Sequence, residues 1–248
     1  DLEKILNESV LYHQMSDVPF GMFFSGGVDS TTILSLMSRL SNNPVLSYMV
    51  NFDMRQNLDE INIARTIAKK LKAELIEYTY TKKDFNETAG LAILSCDDPI
   101  ADYAILPTTF LAKKASKDVK VVLTGEGGDE FFAGYGRYRY CIKLLGNKLP
   151  NRNGPAISSK ILKSSIHQKL IKKRINYPFP GYIQRIFNKN STLKMVQEYD
   201  IKNWLPNNLL TKLDRCLMRF GLEGRTPLVD IIVSNFAYHL PLNQKIRK

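Results

Sequence analysis

Apolar residues along this chain fall into short unbroken runs that alternate with longer stretches of helical spacing. Leu2, Ile5, Leu6 and Val10 recur every three or four positions and predict an opening amphipathic helix. Pro19 to Phe24 is apolar almost throughout, the pattern of a strand buried on both faces. Thr32 to Met37 then reads as buried helix and Val45 to Phe52 as a second strand. A second helix is expected from Ile61 to Leu71, with Ile63, Ala64, Ile67, Ala68 and Leu71 along one face. Glu74 to Tyr80 predicts a third strand, Ala104 to Ala115 a helix, and Val119 to Leu123 another strand. Strands alternating with helices in this way predict an α/β class: a doubly wound, mainly parallel sheet with right-handed crossovers. From residue 129 onward no strand pattern appears, so the C-terminal half reads as helical. The expected organisation is one domain over 1–248, with an α/β core at 1–136 and a helical part at 137–248.

Composition narrows the class. With 248 residues, 44% of them hydrophobic, the chain can bury one substantial core. No apolar run approaches the ~20 residues of a membrane-spanning helix. The start, Asp1-Leu2-Glu3-Lys4, lacks the basic-then-apolar form of a signal peptide. Cys96, Cys141 and Cys216 are odd in number, far apart and without C-x-x-C spacing. They speak against a disulfide framework or a zinc site and suggest a reducing, cytoplasmic compartment. The formal charge of +11 is unevenly placed: residues 137–194 carry 14 Lys/Arg and no acid, whereas 1–136 carry more acids than bases. The basic segment interleaves aromatics such as Tyr138, Tyr177 and Phe179 with its lysines. A solvated lysine-rich helix is the preferred reading, and a nucleic-acid groove ranks below it.

Two segments carry candidate chemistry. Ser25-Gly26-Gly27-Val28-Asp29-Ser30 lies where a buried strand ends and a helix begins, the edge of an α/β sheet at which ligands bind. Its glycines allow close backbone approach, and their amides with the helix N-terminus form an anion site. Ser25, Ser30 and Thr31 offer hydroxyl donors for phosphate oxygens. Asp29 would repel phosphates unless a Mg²⁺ lies between, an ion that favours one or two carboxylates plus phosphate oxygens. The lysine of a Walker loop is missing. The second segment, Thr124-Gly125-Glu126-Gly127-Gly128-Asp129-Glu130, again follows an apolar strand. Loops after two parallel strands share one sheet edge, so Asp29 and Asp129 could hold a single magnesium ion. Glu126 is then the candidate proton acceptor.

Ser25 to Ser30 resembles the pyrophosphate loop (PP-loop) of the ATP-pyrophosphatase superfamily, whose fold is adenine nucleotide alpha hydrolase-like. GMP synthetases, NAD synthetases and some tRNA-modifying enzymes carry similar loops. Thr124 to Tyr135 is similar to the S-G-E-G-x-D-E-x-F-x-G-Y signature of asparagine synthetases, with Thr in place of the first Ser. Asp214-Arg215 to Met218, Leu222-Glu223-Gly224-Arg225-Thr226-Pro227 with Asp230, and Asp97-Asp98-Pro99-Ile100-Ala101-Asp102 match further family segments, Asp98 replacing Glu. On these motifs the chain resembles the C-terminal synthetase domain of glutamine-hydrolysing asparagine synthetases.

The resemblance implies an ATP-dependent ligase that makes β-aspartyl-AMP and pyrophosphate from ATP and aspartate, then amidates it with ammonia. ATP and Mg²⁺ are the implied cofactors. Ser25, Gly26, Gly27, Asp29 and Ser30 would hold the pyrophosphate, and Asp29 and Asp129 the metal. Val50 and Phe52, with Asp53 nearby, would receive the adenine. Gly125 would lie against the nucleotide and Glu126 would assist deprotonation of the attacking amine. Asp214, Arg215, Glu223 and Arg225 divide equally between substrate contacts and structural ion pairs. A glutaminase domain before this segment, and a lysine-bearing segment beyond Lys248, are expected from the family and are not in this sequence. The implied partners are a small carboxylate, ammonia or glutamine, and the glutaminase domain, with no membrane and a homodimer left open. Two other readings stand: a sister amidotransferase or β-lactam-synthetase-like enzyme adenylating another carboxylate, and a tRNA-modifying PP-loop enzyme.

Overall fold

The computed structural model describes residues 2–52, 58–97, 100–138 and 189–246. Asp53, Asp98, most of the basic 137–194 segment and Lys248 lie outside them. The chain divides into two compact units, Asp1–Gly134 with Asp200–Arg247, and Tyr135–Tyr199. The first opens with helix α1 (Leu2–Gln14), strand β1 (Phe20–Phe23) and helix α2 (Val28–Leu40). It continues through β2 (Leu46–Phe52), α3 (Leu58–Lys70), β3 (Glu74–Tyr80) and α4 (Lys82–Ser95). Then come α5 (Ile105–Ala115), β4 (Val121–Leu123) and the short α6 (Gly128–Phe132).

Among the described residues every strand pairing is parallel, in the order β3-β2-β1-β4-β5, where β5 is Glu223–Arg225. From β1 the chain steps outward through β2 to β3, then crosses back to the other side of β1 for β4. The connection direction therefore reverses between β1 and β4, which makes the gap above their carboxyl ends the topological switch point. Side chains alternate across the sheet. Val121 and Leu123 of β4 join one core with α1, α2 and α3, whereas Val122 faces a second core with α5. In β2, Met49 belongs to the first core and Tyr48 to the second. This two-sided burial is why the strands read as unbroken apolar runs.

The later part of the first unit is helical with one exception. A π-helical segment (Asp200–Leu210) containing Pro206 leads into α7 (Thr211–Met218). Proline has no amide to donate, which fits a departure from regular α-helical bonding there. Trp204 packs against the Phe131, Leu205 and Leu209 cluster as a core anchor. The exception is β5 (Glu223–Arg225), which corrects the reading of the second half as strand-free. It completes the sheet beside β4, with Glu223 N–H donating to Lys120 O at 2.8 Å and Thr124 N–H to Arg225 O at 2.9 Å. A 3₁₀ turn (Pro227–Val229), α8 (Ile231–His239) and α9 (Leu242–Lys245) follow. In the second unit, Arg137 lies over the Tyr135 ring at 3.7 Å, and Lys189–Tyr199 is helical. Among the described residues no helix is long and apolar enough to cross a membrane.

The sheet tolerates no side chain at Gly21 of β1. A Cβ there would sit 2.7 Å from Leu46 O and 3.0 Å from the Tyr48 ring. Gly21→Ala is expected to destabilise the protein by about 1–3 kcal/mol through overpacking against a neighbouring backbone. Gly90 in α4 has open space around it, so Gly90→Ala should stabilise by about 0.5–1 kcal/mol through lower chain entropy. Urea midpoints of the two variants, moving in opposite directions, check both.

Candidate active site

The two glycine-rich loops emerge from β1 and β4, the strands that flank the switch point. After β1, Gly26 takes a left-handed conformation (φ 77°) and lies against α3, where a Cβ would be 2.9 Å from that of Ala64. Gly27 caps α2 without a side-chain hydrogen bond. The loop is braced from within. Ser25 N–H donates to Ser30 Oγ at 3.3 Å, the two hydroxyls are 3.0 Å apart, and Ser30 Oγ donates to Gly27 O at 3.2 Å. Ser30 is buried, while Ser25 and Gly27 are exposed at the rim. Thr31, expected from the sequence to be a third hydroxyl donor, lines instead a cleft between α1 and α2 with Leu2, Thr32 and Arg39.

The loop after β4 is pressed onto this turn. A Cβ on Gly125 would lie 3.1 Å from both Asp29 Cβ and Ser30 N. One on Gly128 would collide with the Asp29 carboxylate. Gly127, at φ 94°, has Val229 on its other side. The structure thus brings Ser25, Gly26, Gly27, Asp29, Ser30, Gly125, Glu126 and Asp129 to one edge. Asp29 is half-buried, and its pKa is pushed up to about 6, first by burial, then by Asp129 and then by Glu126. A carboxylate held against two others in partial burial is destabilised in its charged form, and a cation there would relieve it. Among the described residues no group of three or more His, Cys, Asp or Glu forms a protein-only metal cage. Two oxygen donors beside an anion-binding loop fit Mg²⁺, which takes its remaining ligands from phosphates and water.

Val50 and Phe52 end the neighbouring strand β2 at the same edge. Val50 packs in the core with α5, and the Phe52 ring meets Tyr80 edge-on at 5.8 Å. Asp53 lies outside the described residues.

A residue outside the recognised motifs, Lys212 on α7, also belongs to the site. Its side chain is 4% exposed, and the ammonium donates to Asp102 Oδ2 at 2.7 Å and to Glu126 Oε1 at 3.0 Å. Burial acts to lower its pKa, but Glu126 and Asp102 outweigh burial and the net shift is upward, so it is a cation. The sequence does carry a signal for it. Leu205, Leu209, Lys212, Leu213, Cys216 and Leu217 follow a helical stripe, and a lysine within such a stripe needs a buried partner. Asp102 is fixed in turn by Ala104 N–H at 3.0 Å on its other oxygen, and Ala101 N–H donates to Asn208 at 3.0 Å. Of the late motif residues, Arg225 is structural. It donates to the carbonyls of His13 and Met15 at the end of α1, at 2.9 and 2.7 Å, and to Glu223 at 2.8 Å. Arg215 pairs with Asp97 at 3.0 Å on the surface, and Asp214 is exposed.

The Asparagine synthase family model matches residues 1–248. Similar curated proteins include asparagine synthetase [glutamine-hydrolyzing] 1 of Bacillus subtilis, 29% identical over 97% of this chain and 43% of that protein. A putative asparagine synthetase [glutamine-hydrolyzing] of Mycobacterium bovis is 29% identical over 100% of this chain and 43% of its own length. Amidase chyE of Penicillium rubens is 28% identical over 82% of this chain and 33% of that protein. The chain thus spans less than half the length of these relatives. With a match over its whole length and the family's loops at the switch point of its sheet, the chain belongs to the asparagine synthase family.

Proposed function

We propose that this chain is the ATP-cleaving synthetase part of a cytoplasmic ligase that activates aspartate as β-aspartyl-AMP and amidates it with ammonia. The observation that carries the reading is the packing of the Gly125–Asp129 loop onto the first turn of α2, which gathers Asp29, Glu126 and Asp129 beside an anion-binding helix start. The relatives' names specify glutamine hydrolysis, so the ammonia is inferred to come from glutamine at a glutaminase domain of the whole protein.

In this reading the amides opening α2, with the hydroxyls of Ser25 and Ser30, bind the β,γ-pyrophosphate. Asp29 and Asp129 would hold Mg²⁺. When bound, that ion offsets the charge building on the α-phosphate and on the leaving pyrophosphate. Val50 and Phe52 border the adenine, and Gly125 admits the nucleotide close to the backbone. Adenylation joins a carboxylate oxygen of aspartate to the α-phosphorus and breaks its bond to pyrophosphate. Nitrogen of ammonia then attacks the acyl carbon, the C–O bond to AMP breaks, and Glu126 receives the proton released from nitrogen. The amidase relative favours one alternative, in which the same chemistry serves a carboxylate other than aspartate.

The deciding assay gives the whole protein ATP, Mg²⁺, ammonium and a panel of carboxylates, and quantifies AMP, ADP and pyrophosphate. AMP with pyrophosphate from aspartate alone is the expected result. The same products from another carboxylate would move the enzyme to the sister reading, and ADP with phosphate would end the proposal. Glu126→Gln should lower amide formation by about 100-fold or more while ATP still binds. Unchanged turnover would remove Glu126 from the chemistry.

The acid cluster also sets a pH dependence in magnesium-free buffer. Because the Asp29 pKa is raised in the folded state, its neutral form favours folding, fully so below the unfolded value of about 3.9. That contribution is lost as pH rises through about 6. Relative to wild type, Asp29→Asn should therefore gain stability between about pH 4 and 8. Denaturation midpoints of both proteins across that range check the sign.

A further inference from the structure

We propose that Lys212 is the positioning residue of the site: its buried ammonium fixes one oxygen of Glu126 so that the other is presented to the incoming amine. The inference rests on the amide-synthesis reading above and assigns a residue to the part of the reaction that follows adenylation.

Three observations carry it. First, Lys212 reaches Glu126 Oε1 at 3.0 Å from a position almost without solvent, where the contact is not loosened by water. Second, the ammonium is itself held. Asp102 Oδ2 accepts from it at 2.7 Å, and Asp102 Oδ1 accepts from Ala104 N–H at 3.0 Å. The order of contacts runs from a backbone amide through Asp102 and Lys212 to Glu126, each member anchoring the next. Lys212 is also seated by its own helix, because Leu213, Cys216 and Leu217 beside it are fully in the core. Third, stability is a poor reason for this arrangement. Buried ion pairs and triads lose so much hydration that apolar residues of similar size serve the fold as well or better. What an apolar residue cannot do is hold the Glu126 carboxylate in one orientation. A proton acceptor must sit within hydrogen-bond reach of the proton it takes, and loss of that placement lowers rate without changing the groups present.

The chemistry then separates into two halves with different demands on Lys212. Adenylation consumes ATP and the carboxylate at the loops after β1 and β4, and Glu126 takes no proton in it. Amidation needs Glu126 in place as the C–N bond forms. Lys212 therefore affects the second half and spares the first. The Lys212→Arg change keeps a cation that can donate to both carboxylates. Lys212→Met removes it and leaves Asp102 and Glu126, both part-buried, without it. The double change Lys212→Met with Asp102→Asn removes one of those stranded charges, which separates loss of stability from loss of positioning.

The test uses the whole protein and reads the two halves separately. Aspartate-dependent exchange of labelled pyrophosphate into ATP, without ammonia, reports adenylation. Ammonium-dependent formation of amide reports the full reaction. Lys212→Met is expected to keep exchange within about threefold of wild type and to lose about 100-fold in kcat for amide formation. Lys212→Arg should recover part of that loss. The double variant should regain thermal stability but not turnover. The inference is overturned if exchange and amide formation fall together in Lys212→Met, if neither falls, or if the double variant regains turnover along with stability. A wild-type protein that exchanges pyrophosphate with no carboxylate would instead sink the amide-synthesis reading, and this inference with it. A wild type active with a carboxylate other than aspartate leaves the same comparison to be made with that substrate.

Discussion

The contact that organises this molecule is the one between the loop after β4 and the first turn of α2. Gly128 lies so close to the Asp29 carboxylate that no side chain fits between them, and a Cβ at Gly125 would already crowd Asp29 and Ser30 at 3.1 Å. Glycine at those positions lets two chain segments almost a hundred residues apart in sequence behave as one surface. The sheet makes the approach possible, since β1 and β4 are neighbours whose connections depart in opposite directions. The approach has an electrostatic consequence. It places Asp129 and Glu126 within the field of Asp29, whose pKa burial first and then these two neighbours push up to about 6. A fold that accepts this repulsion without a bound cation has to be stabilised elsewhere, and the two apolar cores on either face of the sheet supply that.

Charge at the far side of the site is handled differently. Glu126 leans on Lys212, which leans on Asp102; the ammonium is buried and the two carboxylates are part-buried around it. Asp29 is part-buried as well, but its charged neighbours are Asp129 and Glu126, and it stands beside the exposed rim of Ser25 and Gly27. One carboxylate is thus compensated by a protein cation, while the other has two acids for neighbours. In the proposed reaction that division matches the roles: the acid among acids serves metal and phosphate, and the acid held by an ammonium serves proton transfer.

Much of this architecture is legible in the residue pattern. β1, β2 and β4 are marked to within two residues because burial on both faces leaves apolar runs, and the edge strand at Glu74–Tyr80 is marked to the residue by its Leu, Ile and Tyr content. Both site loops stand out as glycine-rich, acid-bearing turns following such strands. The strand β5 does not stand out, and for a physical reason. Glu223-Gly224-Arg225 contains no apolar residue, and it is a strand only because β4 offers it a row of backbone partners. Helix α4 is hidden as well. Its helical face is weak, with Ile93 and Leu94 exposed, although the capping box of Thr81 and Asp84 announces its start. Thr31 departs from its expected role because residues adjacent in a helix turn point about 100° apart, so Ser30 faces the loop while Thr31 faces α1.

Lys212 illustrates a different limit. Its partners lie 110 and 86 residues away, and only tertiary structure can choose them from the chain's 24 acids. The stripe in which it stands says that a partner exists, and the fold says which. The same distance ties the site to the core. Glu126 is placed by Lys212, Lys212 by the seating of α7, and α7 by the packing of Leu213 and Leu217 with Val122 and Tyr48 beneath the sheet. An apolar change in that packing, far from any reacting atom, would therefore reach the carboxylate through one ammonium. Interiors this closely packed transmit a displacement of a few tenths of an ångström rather than absorbing it. The position of the Glu126 carboxylate is in this sense a property of the whole unit.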